Sequence, residues 1–98
     1  MAKRLKSVFT EDMEHCIETG TPYCHRHHIF GASNRTKCEK YGFVIPIAHY
    51  LHEFQPGSIH ANPNEGLDLK WKQKAQIYYE EHYGTREDFI KEFGRSYL

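Results

Sequence analysis

The sequence predicts an α+β fold in which a β-hairpin comes first and helices follow. Residues 23–30 alternate weakly between polar and apolar side chains, and residues 43–48 are β-branched and aromatic, so both segments are typical of strands. From Leu67 to His82, apolar residues recur at helical spacing, and a second, shorter helix is predicted after it. This order differs from the alternating strands and helices of a parallel sheet.

The segment that joins the two strands, at 31–42, is interpreted as a loop. It carries three basic side chains, those of Arg35, Lys37 and Lys40. Pro46 in the second strand indicates a sheet edge or a strand end, because proline has no N–H to donate to a neighbouring strand.

Local signals bound the helical parts of the chain. After the second strand, HYLHEF predicts a short helical turn that QPGS stops. Near the start, Thr10 could cap a short helix, and ETGTPY predicts a turn. Thr85 stands three residues before Asp88, which is a variant of the capping box, and Gly94 suits the C-terminal end of that helix. The helical aromatics expected in the core are Trp71, Tyr78, Tyr79, Phe89 and Phe93.

Length and composition narrow the class of protein. The 98 residues suit a single domain, 1–98, in which 1–7 form a flexible basic tail. Equal numbers of acidic and basic residues mean that net charge alone does not indicate a nucleic-acid partner. The chain has neither an apolar run of membrane-spanning length nor a signal peptide, so we expect a cytoplasmic protein without a membrane partner. Three cysteines without a CxxC pair argue against a disulfide framework, and Cys24 and Cys38 are expected to be buried.

Six of the eight histidines fall between residues 25 and 60, which indicates a site because solvent-exposed histidines would be scattered. In a strand, His25 and His27 share one face, and His28 points to the other. If the strand ends near His28, both His27 and His28 can border one cleft. One could then bind a metal ion while the other handles a proton.

Further metal ligands must come from elsewhere in the fold. His52, in the turn after the second strand, and His60, beyond QPGS, are the best candidates. For His60, spacing alone favours neither a ligand nor an incidental role, and His25 and His49 are expected mainly to pack. Imidazole ligands suit zinc, nickel, copper or iron better than magnesium, although magnesium can bind where several waters complete its shell.

Three features occur in order along the chain: HHIFGASNR, EKYGFVIPI and a histidine in the helical turn that follows. Together they resemble the HNH (His-Me finger) endonucleases. The chain is most similar to a small phage-encoded branch related to recombination-associated nucleases, from about Met13 to Leu98. The resemblance implies a ββα-metal fold, in which a short helix crosses a β-hairpin around one divalent metal ion, with additional C-terminal helices. It also implies an activity, the metal-dependent hydrolysis of phosphodiester bonds in DNA.

The resemblance assigns roles to matching residues. His28 would be the general base that activates water, and His27 and His52 would be metal ligands. His60 would complete the metal shell or contact DNA. The metal would be Mg²⁺ or a transition metal such as Zn²⁺, Mn²⁺ or Ni²⁺.

DNA contacts are implied for the segment between the strands. Asn34 and Arg35 match loop residues of the family and would position a phosphate, and Lys37 and Lys40 are further candidates for DNA binding. Because a chain of zero net charge binds free DNA weakly, a phage or host replication or recombination protein is an expected partner. The setting would be the cytoplasm of a bacterial host cell.

Two of the chain's departures from the family bear on the general base and its surroundings. Glu53 stands where the branch has asparagine, and the central asparagine of the motif falls near Gly42 or Phe43. Neither of those side chains can orient the base, so a backbone carbonyl is expected to hold the second ring nitrogen of His28. The alternative function is a non-catalytic DNA-binding or phage accessory module with a structural histidine-metal site.

Overall fold

A computed structural model describes residues 7–49, 51–52, 64 and 66–98 of the chain. Over these residues the chain forms a two-stranded antiparallel hairpin and three α-helices, which confirms the α+β class. In chain order the elements are β1 (Cys24–His28), α1 (Arg35–Tyr41), β2 (Val44–Ala48), α2 (Gly66–His82) and α3 (Arg86–Phe93), with a 3-10 turn at Ala32–Asn34 before α1.

The two predicted strands pair with each other, and His28 at the end of β1 lies opposite Val44 at the start of β2. The carbonyl of Pro46 accepts a hydrogen bond from the backbone N–H of Ile17 (2.8 Å), on the side of β2 away from β1. The nitrogen and the carbonyl of one strand residue point to the same side, so the missing N–H of Pro46 also faces outward. The expected edge position of this proline is confirmed.

The interpretation of residues 31–42 as a loop is wrong, because most of them form the 3-10 turn and α1. Cys38 is fully buried in α1, and its thiol accepts a hydrogen bond from the N–H of Phe30 (3.2 Å) and donates one to the Phe30 carbonyl (3.1 Å). Gly42 ends the helix at a positive φ of 79°, which a residue without a Cβ adopts at little cost. A tertiary anchor therefore holds this polar segment as a helix.

The hydrophobic core joins the hairpin to all three helices. Phe30, directly after β1, packs against Phe93 and Phe89 of α3, with ring centroids 4.5 Å and 5.5 Å away. Phe43, directly before β2, is also fully buried, so both ends of the segment that carries α1 are fixed in the core. The buried core residues are Ile29, Phe30, Cys38, Phe43, Val44, Ile45, Ile47, Trp71, Ala75, Tyr79, Phe89 and Phe93.

Both C-terminal helices are confirmed. The side chain of Thr85 accepts a hydrogen bond from the N–H of Asp88 (3.1 Å), and the Asp88 carboxylate accepts one from the N–H of Thr85 (2.9 Å), which is the predicted capping box. Gly94 ends α3 at a φ of 96°. Of the predicted core aromatics, Tyr78 differs from the others in being only partly buried.

The N-terminal segment has turns instead of the short helix considered there. Residues 7–23 contain no helix, and the hydroxyl of Thr10 accepts a hydrogen bond from the N–H of Asp12 (3.1 Å). A turn closed by Gly20 N–H and the Cys16 carbonyl (2.8 Å) overlaps the predicted turn. Among the helices of the described residues, none has the length and apolar character needed to cross a membrane.

Candidate functional site

Side chains on β1 make two separate sets of contacts on its two faces. On one face, Arg26 and His28 both reach α1. On the other face, the rings of His25 and His27 lie against His52, at centroid distances of 5.3 Å and 5.0 Å. The alternation expected of a strand therefore holds, and His28 is the last residue of β1.

The first set centres on Glu39 of α1. Its carboxylate receives two parallel hydrogen bonds from the Arg26 guanidinium, Nε to Oε2 (2.9 Å) and Nη2 to Oε1 (2.7 Å). The Nε2 atom of His28 lies 2.7 Å from the same Oε2. The side chains of Arg26, His28 and Glu39 are 20%, 25% and 27% exposed, so water reaches the group but does not surround it.

The charge on Glu39 decides the direction of these hydrogen bonds. The hydrogen bonds from Arg26 lower the pKa of the Glu39 carboxyl, the bond to His28 adds to this, and partial burial opposes it. An ionised carboxylate only accepts hydrogen bonds, so the Nε2 atom of His28 donates. In a neutral imidazole, the other ring nitrogen, Nδ1, then carries the lone pair that a general base needs.

The expectation that a backbone carbonyl holds the second nitrogen of His28 is wrong, because the Glu39 side chain does so. Sequence reasoning missed Glu39 because this residue lies in the segment interpreted as a loop, and the path of that loop through the fold was not predicted. One signal was available: between residues 19 and 64, Glu39 and Glu53 are the only acidic residues. A lone carboxylate among histidines and basic side chains is a natural partner for one of them.

The second set is a cluster of imidazoles formed by His25, His27, His49 and His52. His25 stacks on His49 with centroids 3.6 Å apart, and its Nδ1 lies 3.2 Å from Nδ1 of His52. His27 is 5% exposed and is the most buried side chain of the four. His25, expected mainly to pack, is thus in direct contact with a candidate metal ligand.

Local structure explains how the imidazole cluster forms. The N–H of His49 donates to the carbonyl of Tyr23 (3.2 Å), which continues the hairpin ladder by one step and brings His49 beside His25. The backbone at His49, Leu51 and His52 is helical, as HYLHEF predicted. This turn carries His52 back over the face of β1 that holds His25 and His27.

The imidazole cluster contains His27 and His52, two of the expected metal ligands. In the ranges 7–49, 51–52, 64 and 66–98, no group of three or more His, Cys, Asp or Glu side chains is arranged to hold a metal ion. The 3.2 Å between Nδ1 of His25 and Nδ1 of His52 is nevertheless a suitable ligand spacing. Two nitrogens bound to one tetrahedral zinc ion lie about 3.3 Å apart. The other predicted ligand, His60, lies outside the described residues.

The candidate DNA-binding residues all belong to the 3-10 turn and α1. Arg35 and Lys40 are exposed, whereas Asn34 is half-buried at the N-terminal end of α1. Lys37 is half-buried too, and its ammonium group donates to the backbone carbonyl of Glu92 in α3. Arg35 and Lys40 are therefore the members of this set whose side chains are most accessible to a ligand.

Comparison of the chain with protein-family models, with curated proteins and with solved structures found no match. The function is therefore inferred from the contacts of Arg26 and His28 with Glu39 and from the imidazole cluster.

Proposed function

We propose that this protein is a metal-dependent DNA endonuclease that hydrolyses phosphodiester bonds, with His28 as its general base. The observation that carries the proposal is the 2.7 Å contact between Nε2 of His28 and the Glu39 carboxylate. That contact leaves Nδ1 as the basic nitrogen of a partly exposed imidazole. A carboxylate-bound imidazole at the end of a strand, next to a buried histidine, suits a hydrolytic enzyme.

In the proposed reaction, a water oxygen attacks the phosphorus atom as its proton passes to Nδ1 of His28. The bond from phosphorus to the leaving sugar oxygen then breaks, and that oxygen takes up a proton from solvent water. The imidazolium that forms is stabilised by the negative charge of Glu39, which already holds Nε2–H. General-base assistance of this kind accelerates a reaction by about 10²- to 10⁴-fold.

The proposed metal ligands are His27 and His52, with His60 as a further candidate. Burial of His27, its ring contact with His52 and the spacing of the His25–His52 pair support an imidazole-rich site. When bound, a divalent ion such as Mg²⁺, Zn²⁺, Mn²⁺ or Ni²⁺ would stabilise charge on the phosphate and on the leaving oxygen.

The proposed DNA contacts lie on α1, which also carries Glu39, and on the 3-10 turn before it. Exposed Arg35 and Lys40 would meet backbone phosphates, and Asn34 and Lys37 would add hydrogen-bond donors nearby. Equal numbers of acidic and basic residues leave the chain without a large attractive field for DNA. We therefore propose that a phage or host replication or recombination protein brings the DNA to this chain.

The test is a cleavage assay with plasmid, linear and single-stranded DNA in the presence of each of the four metal ions. We expect His28→Ala to reduce the cleavage rate by about 10²- to 10⁴-fold while metal binding and the fold persist. His82→Ala is the matched control, because this histidine is exposed on α2 and takes no part in either set. Intact DNA under every condition with the wild-type chain would contradict the proposal.

The alternative is a non-catalytic DNA-binding or phage accessory module with a structural histidine-metal site. The contact between His25 and His52 favours it, since imidazoles packed together can serve stability alone. In that case His28→Ala and His27→Ala would have similar effects, and both would act on stability. Chelation would then unfold the domain, whereas for the nuclease it would abolish cleavage and leave the fold.

A further inference from the structure

We propose that Glu39 is the positioning residue of His28, and that Arg26 fixes the Glu39 carboxylate for this purpose. The carboxylate would hold the imidazole as the Nε2–H tautomer, with Nδ1 left as the acceptor. The inference deepens the proposed function and rests on it for the role of the base. Its structural part, the tautomer of His28, is measurable whether or not the protein cleaves DNA.

Hydrogen bonds from two side chains meet at the Glu39 carboxylate. Oε2 of Glu39 accepts from both Arg26 Nε (2.9 Å) and His28 Nε2 (2.7 Å), and Oε1 accepts from Arg26 Nη2 (2.7 Å). A bidentate guanidinium fixes the plane of a carboxylate, because its two donors are held in a rigid fork. The third bond then sets the direction in which the His28 ring points.

Hydrogen bonds in the core anchor α1 beside the end of β1. The adjacent residue, Cys38, is fully buried and bonds to both backbone groups of Phe30, two residues after His28. The next ladder bond, from Ile29 N–H to the Phe43 carbonyl (3.0 Å), holds the end of β1. Glu39 and His28 are therefore fixed relative to each other by the core.

A free imidazole exchanges its proton between two nitrogens, and only the form with an unprotonated Nδ1 can accept a proton there. A carboxylate that holds Nε2–H selects this form and also stabilises the imidazolium produced by proton transfer. For histidines that bind a metal ion, the loss of such an orienting partner typically costs about 10- to 100-fold in metal affinity or activity, and we expect the same scale for His28.

The experiment compares Glu39→Ala, which removes the acceptor, with Glu39→Gln, which keeps an acceptor oxygen but not the charge. Nitrogen-15 chemical shifts of the His28 ring report the tautomer in the full-length chain without metal, at a pH where the ring is neutral. We expect the Nε2–H form in the wild type, a mixture in Glu39→Ala, and substantial recovery of the Nε2–H form in Glu39→Gln.

Cleavage kinetics provide the second measurement. We expect Glu39→Ala to lower kcat by about 10- to 100-fold with little change in KM, and Glu39→Gln to restore part of kcat. Glu18→Ala is the matched control, because Glu18 also accepts two hydrogen bonds, from Lys70 (2.7 Å) and Trp71 (2.9 Å). Neither of these donors is a partner of Glu39. Glu18→Ala should lower stability without changing the His28 tautomer or kcat.

The positioning role is overturned if Glu39→Ala leaves the His28 tautomer as in the wild type. It is also overturned if kcat falls equally in Glu39→Ala and Glu18→Ala, since loss of folded protein would then explain both. If the wild type cleaves no DNA while the tautomer responds to Glu39→Ala, the nuclease proposal fails and the positioning of His28 by Glu39 stands.

Discussion

A single thiol, that of Cys38, couples α1 to the end of β1. Its sulfur bonds to both the N–H and the carbonyl of Phe30, which is 2% exposed. Cys38→Ala would leave those two backbone groups without their partner in a buried position. We expect the free energy of unfolding to fall by about 1–3 kcal/mol, measured by urea denaturation followed by circular dichroism.

Cys24→Ala is the control for this prediction, because Cys24 is only partly buried at the start of β1 and should cost about 0.5 kcal/mol or less. Burial also raises the pKa of the Cys38 thiol to about 11, so little thiolate is present at neutral pH. A thiol reagent should therefore label Cys24 well before Cys38 in the folded chain. Equal losses of stability in the two variants, or equal labelling, would contradict the anchoring role of Cys38.

At the scale of elements, the stability of α3 depends on the hydrogen bonds at its N-terminal end. Thr85 accepts the N–H of Asp88 and donates its own N–H to the Asp88 carboxylate, so the two residues satisfy backbone donors that a helix start leaves unpaired. Thr85→Ala removes one half of this box, and we expect a loss of about 1 kcal/mol in the free energy of unfolding. Thr85→Ser keeps the hydroxyl and should retain most of the stability in the same urea titration; similar losses in both would refute the capping argument.

Elements with a local signal were predictable, and the element without one was not. Two helices have such a signal: the apolar spacing that begins at Leu67, and the capping pair of Thr85 and Asp88. Each signal lies within a short stretch of sequence, and both helices are observed. In α1, the buried side chain is that of Cys38, and its partner is the backbone of Phe30, outside the helix. Periodicity cannot reveal a helix that is held mainly by tertiary contacts.

In the candidate site, too, the features set by local geometry were predictable and those set by tertiary contacts were not. Alternation along a strand placed His25 and His27 on one face and His28 on the other, because that geometry is local. The partner of His28 was missed because it depends on where α1 lies, and the contact between His25 and His52 was missed because it depends on the hairpin register. The metal and DNA roles of these residues stay predictions.

At the scale of the whole molecule, ionised carboxylates connect parts of the fold that are distant in sequence. Glu39 joins α1 to β1, and Glu18 joins the N-terminal segment to α2 through Lys70 and Trp71. Burial raises the pKa of the Glu18 carboxyl, but the hydrogen bonds from Lys70 and Trp71 outweigh it, so the pKa is lowered. The hydrogen bonds from Arg26 lower the pKa of the Glu39 carboxyl. For exposed Asp88, the backbone N–H of Thr85 lowers the pKa of the carboxyl. The same residue types in the unfolded chain titrate at about 3.9 to 4.3.

These lowered values predict the dependence of stability on pH. A carboxyl whose pKa is lower in the folded state binds fewer protons there, so its contribution is complete above about pH 4.3 and is lost as the pH falls further. We therefore expect the free energy of unfolding, measured by urea denaturation between about pH 6 and about pH 3, to decline below about pH 4.3. Glu39→Gln removes one of these groups, so its difference from the wild type should shrink as the pH falls. Parallel curves for the two proteins would show that the ion pair between Arg26 and Glu39 does not stabilise the fold.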